Sequence, residues 1–170
     1  MITFELITEI DDVLFDRLYA ESLSILESGS FPWQLWPDVV TPEDRKSHIN
    51  QAFKRVLSDG LGWLVKTDEH PVLLCVGTQE GDLIRWSLGL SGTNTSGSRS
   101  WLYEPSYATS RDAFWDSVGV KGWIMSQASK GKDIINHIQY KNQQGAIEAN
   151  VEYVDSGIEG FTDIIITKPL

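Results

Sequence analysis

The sequence predicts an α+β domain, and three of its features support this class. A capped amphipathic helix runs from Thr41 to Asp59, three alternating strands follow one another from Gly62 to Leu90, and the second half alternates helices with strands. Successive strands combined with separate helices are typical of α+β proteins. The predicted order is strand, helix, helix, four strands, helix, strand, helix, strand, strand, or β-α-α-β-β-β-β-α-β-α-β-β.

The size of the chain predicts one domain over residues 1–170. A chain of 170 residues buries roughly 70% of its unfolded surface when it folds as one unit. The hydrophobic fraction of 41% and the charged fraction of 22% are ordinary for a globular protein. One core is therefore expected.

Charge and composition exclude several kinds of partner. The net charge of −10 disfavours nucleic acid and favours a cationic or neutral acceptor. No apolar run approaches the ~20 residues that a membrane span needs, and the start of the chain lacks a signal-peptide pattern, so a cytoplasmic protein without membrane contact is expected. The single cysteine, Cys75, lies in an apolar run and is predicted to be buried. His70 has no neighbouring His, Cys or acidic cluster, so no metal site is predicted.

The first strand and helix are predicted from a change of period. Ile2–Ile7 alternates apolar with polar residues, which is typical of a strand with one solvated side. Thr8–Asp11 resembles a capping box, and the residues that follow have helical spacing. The predicted inner stripe of this helix consists of Phe15, Tyr19, Leu23 and Leu26.

An aromatic segment follows at residues 31–37. It contains two prolines and three aromatic residues, which is more apolar surface than a simple connection needs. It is either a loop fixed to the core by its aromatic rings or a wall that faces a ligand. Trp33 and Trp36 are the substrate-binding candidates under the second interpretation.

The clearest helix start lies at Thr41-Pro42, where an N-cap threonine precedes proline and two acids. Asp59-Gly60 ends this helix. The strands predicted next are Gly62–Thr67, Pro71–Thr78 and Leu83–Leu90. Arg85 alternates with apolar neighbours on the last of these strands, and it is expected to point to solvent or to an acid.

A strand-to-helix junction is predicted between residues 101 and 118. A short aromatic strand begins at Trp101 after a flexible Gly/Ser-rich loop, Pro105 stops it, and Ser110 caps a helix that starts at Arg111 and ends before Gly119. A strand that runs into a helix N-terminus is suited to bind an anion. The remaining predictions are a strand at Val120–Ser126, a helix from Ser129 to about Gln143, and strands at Ala146–Val154 and Phe161–Lys168.

This order of elements resembles the GCN5-related N-acetyltransferase (GNAT) superfamily over most of the chain. The run Glu104–Tyr107 is similar to the proline and aromatic that often follow the fourth strand of that family, and Gly160–Leu170 is similar to its final strands. The resemblance implies a three-layer fold with a mixed, mostly antiparallel central sheet between helices. It also implies acetyl-CoA as cofactor and acetyl transfer to an amine of a small molecule or peptide.

In that family the fourth strand leads into a Gln/Arg-x-x-Gly-x-Gly/Ala loop, which binds the coenzyme A pyrophosphate through backbone N–H groups. The corresponding window here is Ala108–Ala113, of which only Ala113 conforms. Ala108 replaces the Gln/Arg, Arg111 replaces the central glycine, and Asp112 adds a negative charge. No Gln or Arg of the chain has a glycine three residues later, so the motif is absent.

Two interpretations of this window remain. In the first, the hydroxyls of Thr109 and Ser110 and the guanidinium of Arg111 bind phosphate, with Tyr103 and the rest of the window completing the cofactor site. In the second, the site has lost coenzyme binding.

The resemblance also implies catalytic candidates. Glu104, at the end of the predicted fourth strand, is the candidate base, although a solvated strand-end acid is the alternative. Tyr140 is the candidate acid. The competing function is a non-catalytic GNAT-like module, in which segment 31–37 mediates association with a second copy or a protein partner, for example in a phage particle. A third function is binding of a small molecule without coenzyme A.

Overall fold

The computed structural model describes residues 2–23, 26, 33–67, 72–91, 107–128 and 149–168. In chain order, these residues form β1 (Ile2–Ile7), α1 (Asp12–Glu21), α2 (Pro42–Asp59), β2 (Leu61–Thr67), β3 (Leu73–Glu80), β4 (Leu83–Ser91), α3 (Ala108–Val118), β5 (Gly122–Ala128), β6 (Asn150–Asp155) and β7 (Phe161–Thr167). A 3-10 turn at Trp33–Leu35 precedes α2. Within these ranges, none of the helices combines the length and the apolar character needed to cross a membrane.

The described strands form one mixed sheet in the order β1-β2-β3-β4-β5-β7-β6. β4 and β5 pair in parallel, whereas β1 with β2, β2 with β3, β5 with β7 and β6 with β7 pair antiparallel. The predicted α+β class with a mixed, mostly antiparallel sheet is thus confirmed. The predicted helix at 129–143 and the predicted strand at Trp101 lie outside the described residues, as does His70.

The chain divides into two compact units. The first comprises Met1–Thr78 and Ser87–Ser98, and the second comprises Gln79–Trp86 and Arg99–Leu170. Strands β3 and β4 contribute residues to both. A single domain over the whole chain stays a prediction.

The core of the first unit lies where α1 and α2 pack on β2 and β3. Phe15 of α1 is fully buried and meets Phe53 of α2 edge to face, with ring centroids 5.9 Å apart. α1 begins at Asp12, because the carboxylate of Asp11 accepts hydrogen bonds from the backbone N–H groups of Val13 and Leu14. The capping box expected at Thr8 is therefore wrong: a carboxylate three residues later caps the helix.

Helix α2 confirms the start predicted from Thr41-Pro42. The Thr41 hydroxyl accepts a hydrogen bond from the Asp44 N–H at 3.1 Å, and two acids lie in the first turn, where the helix dipole favours them. The helix ends at Asp59 and is followed by Gly60. A Cβ on Gly60 would lie 2.2 Å from the Gly77 carbonyl oxygen, so this close approach of two backbones requires glycine.

In the second unit, α3 packs on β5 through aromatic rings. Trp123 is fully buried, with its ring centroid 5.3 Å from that of Trp115 and 5.9 Å from that of Phe114. The helix ends at Gly119, whose φ of 87° is left-handed. Its predicted start is wrong by three residues, since it begins at Ala108 with Tyr107 as N-cap, and Ser110 lies inside the first turn.

The final strands are also shifted from their predicted bounds. β5 covers Gly122–Ala128, two residues later than predicted, and the described part of the next strand is Asn150–Asp155. The last strand, Phe161–Thr167, agrees with the prediction to within one residue.

Candidate functional site

A strand-helix-strand unit defines the candidate site. β4, α3 and β5 are successive elements of the described residues, and β4 pairs with β5 in parallel from Leu83 opposite Gly122 to Trp86 opposite Met125. A helix that connects two parallel strands runs back along the sheet, so its N-terminus lies at the carboxyl end of the strands. That end of an α/β unit is the usual place for an anionic ligand.

The window Ala108–Ala113 is helical throughout and forms the beginning of α3. Thr109 and Ala113 are exposed, while Ala108, Ser110 and Asp112 are half-buried. The first four N–H groups of an α-helix have no carbonyl partner within the helix, and they carry its positive dipole end. Here these groups include the backbone N–H of Ala108, Thr109 and Ser110, and no acid lies in the first turn.

Arg111 points into the second unit. It is only 1% exposed, and its guanidinium carbon lies 5.5 Å from the centroid of the Trp115 ring. A cation stacked on a buried indole stabilises the packing of the helix. Thr109 is therefore the exposed residue of the first turn of α3.

Replacement of Arg111 by alanine is expected to lower the free energy of unfolding by about 2 kcal/mol, because both the packing of its stem and the cation–π contact are lost. Replacement of the exposed Thr109 by alanine should change it by less than about 0.5 kcal/mol. Urea unfolding of both variants, alongside calorimetric titration with coenzyme A, separates the two roles. A stable Arg111→Ala variant that no longer binds coenzyme A would show that the guanidinium is a phosphate ligand.

The catalytic candidates Glu104 and Tyr140, together with Tyr103, lie outside the described residues. Their roles stay predictions.

The structure brings together a polar cluster that sequence reasoning did not group. Arg85 of β4 donates to both carboxylate oxygens of Asp163 on β7, at 3.3 and 3.1 Å. Its Nε donates to Glu80 at 2.6 Å. Ser126 of β5 donates to Asp163 Oδ1 at 2.5 Å. Since Glu80 is the last residue of β3, side chains within the second unit link four neighbouring strands, β3, β4, β5 and β7.

The electrostatics of this cluster favour its charged form. The hydrogen bond from Arg85 holds the pKa of the Asp163 carboxyl below its ordinary value, and the bond from Ser126 acts in the same direction. Hydrogen bonds to Glu80 and Asp163 raise the pKa of Arg85. A carboxylate that stays ionised and is held by two donors is a poor general base, so the cluster is suited to fix the strands rather than to move protons.

Arg85, which is expected from the sequence to meet solvent or an acid, contacts two acids, Glu80 and Asp163. The partners themselves depend on register: Ser126 lies directly opposite Asp163 in the β5–β7 ladder. Arg85 lies opposite Ile124 in the β4–β5 ladder. Ile124 is two residues before Ser126, so the side chains of Arg85 and Ser126 lie on the same face of the sheet. The signal available in the sequence was one polar residue next to the apolar part of each strand, Ser126 in β5 and Asp163 in β7.

The first unit contains a pocket of about 280 Å³ beside the aromatic segment. Trp33 forms part of its wall, donates its indole N–H to the Leu26 carbonyl at 2.8 Å, and stacks under the Arg45 guanidinium at 4.7 Å. An ion pair of Lys46 with Asp16, 2.9 Å apart, closes one side. The apolar part of the wall consists of Tyr19, Leu23, Leu26, Val40 and Pro42.

The two tryptophans of segment 31–37 thus have different surroundings. Trp33 is attached to the core and also lines the pocket, which combines both interpretations of the segment. Trp36 packs on His48 of α2, with ring centroids 4.7 Å apart, and it is not among the described residues that line the pocket.

No family model matches the sequence. No curated protein matches it either.

Solved structures match over almost the whole chain. The RimL ribosomal L7/L12 alpha-N-protein acetyltransferase in complex with coenzyme A is 12% identical, with a TM-score of 0.55 over 98% of this chain and 94% of that one. The PaiA N-acetyltransferase from Thermoplasma acidophilum, also in complex with coenzyme A, is 13% identical, with a TM-score of 0.50 over 100% and 99%. The AHL synthase LasI is 8% identical, with a TM-score of 0.51 over 98% and 89%. The chain therefore has a GNAT-like fold.

Proposed function

We propose that this protein is an acyl-CoA-dependent N-acyltransferase that transfers an acetyl group to an amine of a small or peptidic acceptor. The observation that carries this proposal is the first turn of α3, which holds no acid and precedes the parallel strand β5. Its backbone N–H groups are suited to a pyrophosphate. Two proteins with a similar fold, RimL and PaiA, have been solved with coenzyme A, which supports the choice of anion.

The residues at the start of α3 fit a phosphate group. The backbone N–H groups of Ala108, Thr109 and Ser110 and the Thr109 hydroxyl are the proposed donors, and the first turn carries no acid that would repel the anion. Arg111 stands where the GNAT loop has its central glycine. In this proposal its buried side chain fixes α3 to the core and does not contact the phosphate. Asp112 and Ala113 follow in the second turn.

The coenzyme, when bound, supplies the acyl thioester. In this proposal Glu104 accepts the proton of the attacking amine, and Tyr140 gives a proton to the leaving thiolate.

The net charge of −10 favours the approach of a cationic amine. Trp33 and Trp36 are proposed to contact the acceptor, and the location is proposed to be cytoplasmic.

Binding of acetyl-CoA should raise the free energy of unfolding by about 2.7 kcal/mol at 100 times its Kd. Thermal unfolding with and without millimolar acetyl-CoA measures this shift. Acetyl-pantetheine, which lacks the pyrophosphate, is the matched control and should give a much smaller shift. Equal shifts with both compounds would exclude the α3 site, and no shift with acetyl-CoA would contradict the proposed enzyme.

A non-catalytic association module is the second candidate function. The observation that favours it is the exposure of Leu35 (61%) within the aromatic segment and of Val40 (66%) just after it. In this case alanine at Trp33 and Trp36 should weaken self-association or partner capture. An unchanged oligomeric state and unchanged capture would argue against a module that uses this segment.

A further inference from the structure

Within the described part of the chain, the outer edge of strand β6 has no partner strand. Among the described strands it pairs with β7 alone, and all its residues except Val151 are exposed. Sheet edges of soluble proteins are usually protected by proline, lysine or a bulge, because their unpaired N–H and C=O groups can pair with another chain. The β6 sequence, Asn-Val-Glu-Tyr-Val-Asp, contains neither proline nor lysine.

Exposed apolar side chains concentrate around this edge. Tyr153, Val154, Ile158 and Phe161 are 36%, 40%, 63% and 38% exposed. Tyr153 lies opposite Ile164 and Val154 lies opposite Asp163, so they point to the two faces of the sheet. A strand added beside β6 would therefore find an apolar neighbour on each face.

The charge of the same segment selects the occupant. Between residues 150 and 161 there are three acids, Glu152, Asp155 and Glu159, and no base. All three are exposed. A second copy of this chain would bring a second set of these carboxylates to the same edge, and like charges on paired strands repel one another. A cationic strand would instead neutralise them.

We propose that the outer edge of β6 binds an extended segment of another protein, in which lysine or arginine alternates with apolar residues. Main-chain hydrogen bonds to β6 supply affinity, while contacts with Glu152, Tyr153 and Val154 supply specificity. This surface is separate from α3, so it does not depend on the proposed acyl transfer.

The test uses a fluorescent seven-residue peptide that alternates lysine with valine, titrated with the full-length protein in an anisotropy assay. Saturable binding is expected, with at least a tenfold loss in Val154→Lys and in Glu152→Lys. Val13→Lys is the matched control, because Val13 is an 81% exposed valine on α1, and it should bind like the parent. Circular dichroism of each variant verifies that the fold is kept.

Two peptide controls make the assignment specific. A peptide that alternates glutamate with valine should not bind, and neither should the lysine peptide whose backbone amides are N-methylated along both edges, because it has no N–H group left to pair with β6. Equal binding of the glutamate peptide, equal affinity of the Val13→Lys and Val154→Lys variants, or no saturation at millimolar protein would overturn the proposal. So would sedimentation that shows a dimer dissociated by Val154→Lys, because a second copy would then occupy the edge.

Discussion

Replacement of Trp123 by alanine is expected to lower the free energy of unfolding by about 3–5 kcal/mol, the range for removing a large buried aromatic side chain. Trp123 is fully buried and joins β5 to α3 through the rings of Phe114 and Trp115. Loss of this ring leaves a cavity under the helix whose N-terminus forms the candidate site. Urea unfolding followed by circular dichroism measures the change.

Trp36→Ala is the matched control for this substitution. Trp36 is half-buried and packs on His48 at the surface of α2, so its removal should cost only about 1 kcal/mol. Equal losses in the two variants would mean that α3 is not fixed to the sheet by Trp123.

Replacement of Asp163 by leucine is expected to cost about 3 kcal/mol at neutral pH, because two hydrogen bonds from Arg85 and one from Ser126 are lost at a carboxylate that is only 6% exposed. The effect depends on pH. The folded-state pKa of Asp163 lies below its ordinary value, so its stabilisation is present above the unfolded pKa, near 4, and is lost as the pH falls through the folded pKa. Unfolding at pH 7 and at pH 2–3 should therefore show a smaller difference between variant and parent in acid.

The double variant Arg85→Met/Asp163→Leu provides the control. Replacing both charges by apolar groups should recover much of the lost stability, because the one carboxylate that loses its partner, Glu80, has a side chain that is 46% exposed and stays hydrated. If the double variant is as unstable as the sum of its single variants, the two side chains are not energetically coupled.

Where the signals were local, sequence and structure agree. The Thr41 side chain caps the first turn of α2, and Pro42 occupies the first helical position. Both signals lie within the first turn itself, so α2 was predicted from its first residue to its last. The starts of α1 and α3 were wrong for a related reason. Asp11 and not Thr8 caps α1, and α3 begins after Tyr107, which makes no side-chain cap hydrogen bond. In both helices packing of the apolar face sets the start more than the local capping signal does.

The candidate site was predictable only in part. The connection from strand to helix N-terminus was visible in the order of elements, and a helix start near residue 110 indicated an anion site. The burial of Arg111 was not predictable, because α3 begins three residues earlier than its predicted start at Arg111. Arg111 therefore lies within the helix, on the face that packs against the core, and not at the helix end. The Arg85 cluster needed the register of three strands, which local pattern does not specify.

Cys75 gives the first unit a reporter of its own. The thiol is fully buried on β3, opposite the equally buried Trp63 of β2, and no other cysteine exists in the chain. A thiol reagent can reach it only when this unit opens, so labelling rates measure that opening directly. Trp123 and Asp163 belong to the second unit. Labelling of their variants would therefore distinguish cooperative unfolding of the whole chain from local loosening beneath α3.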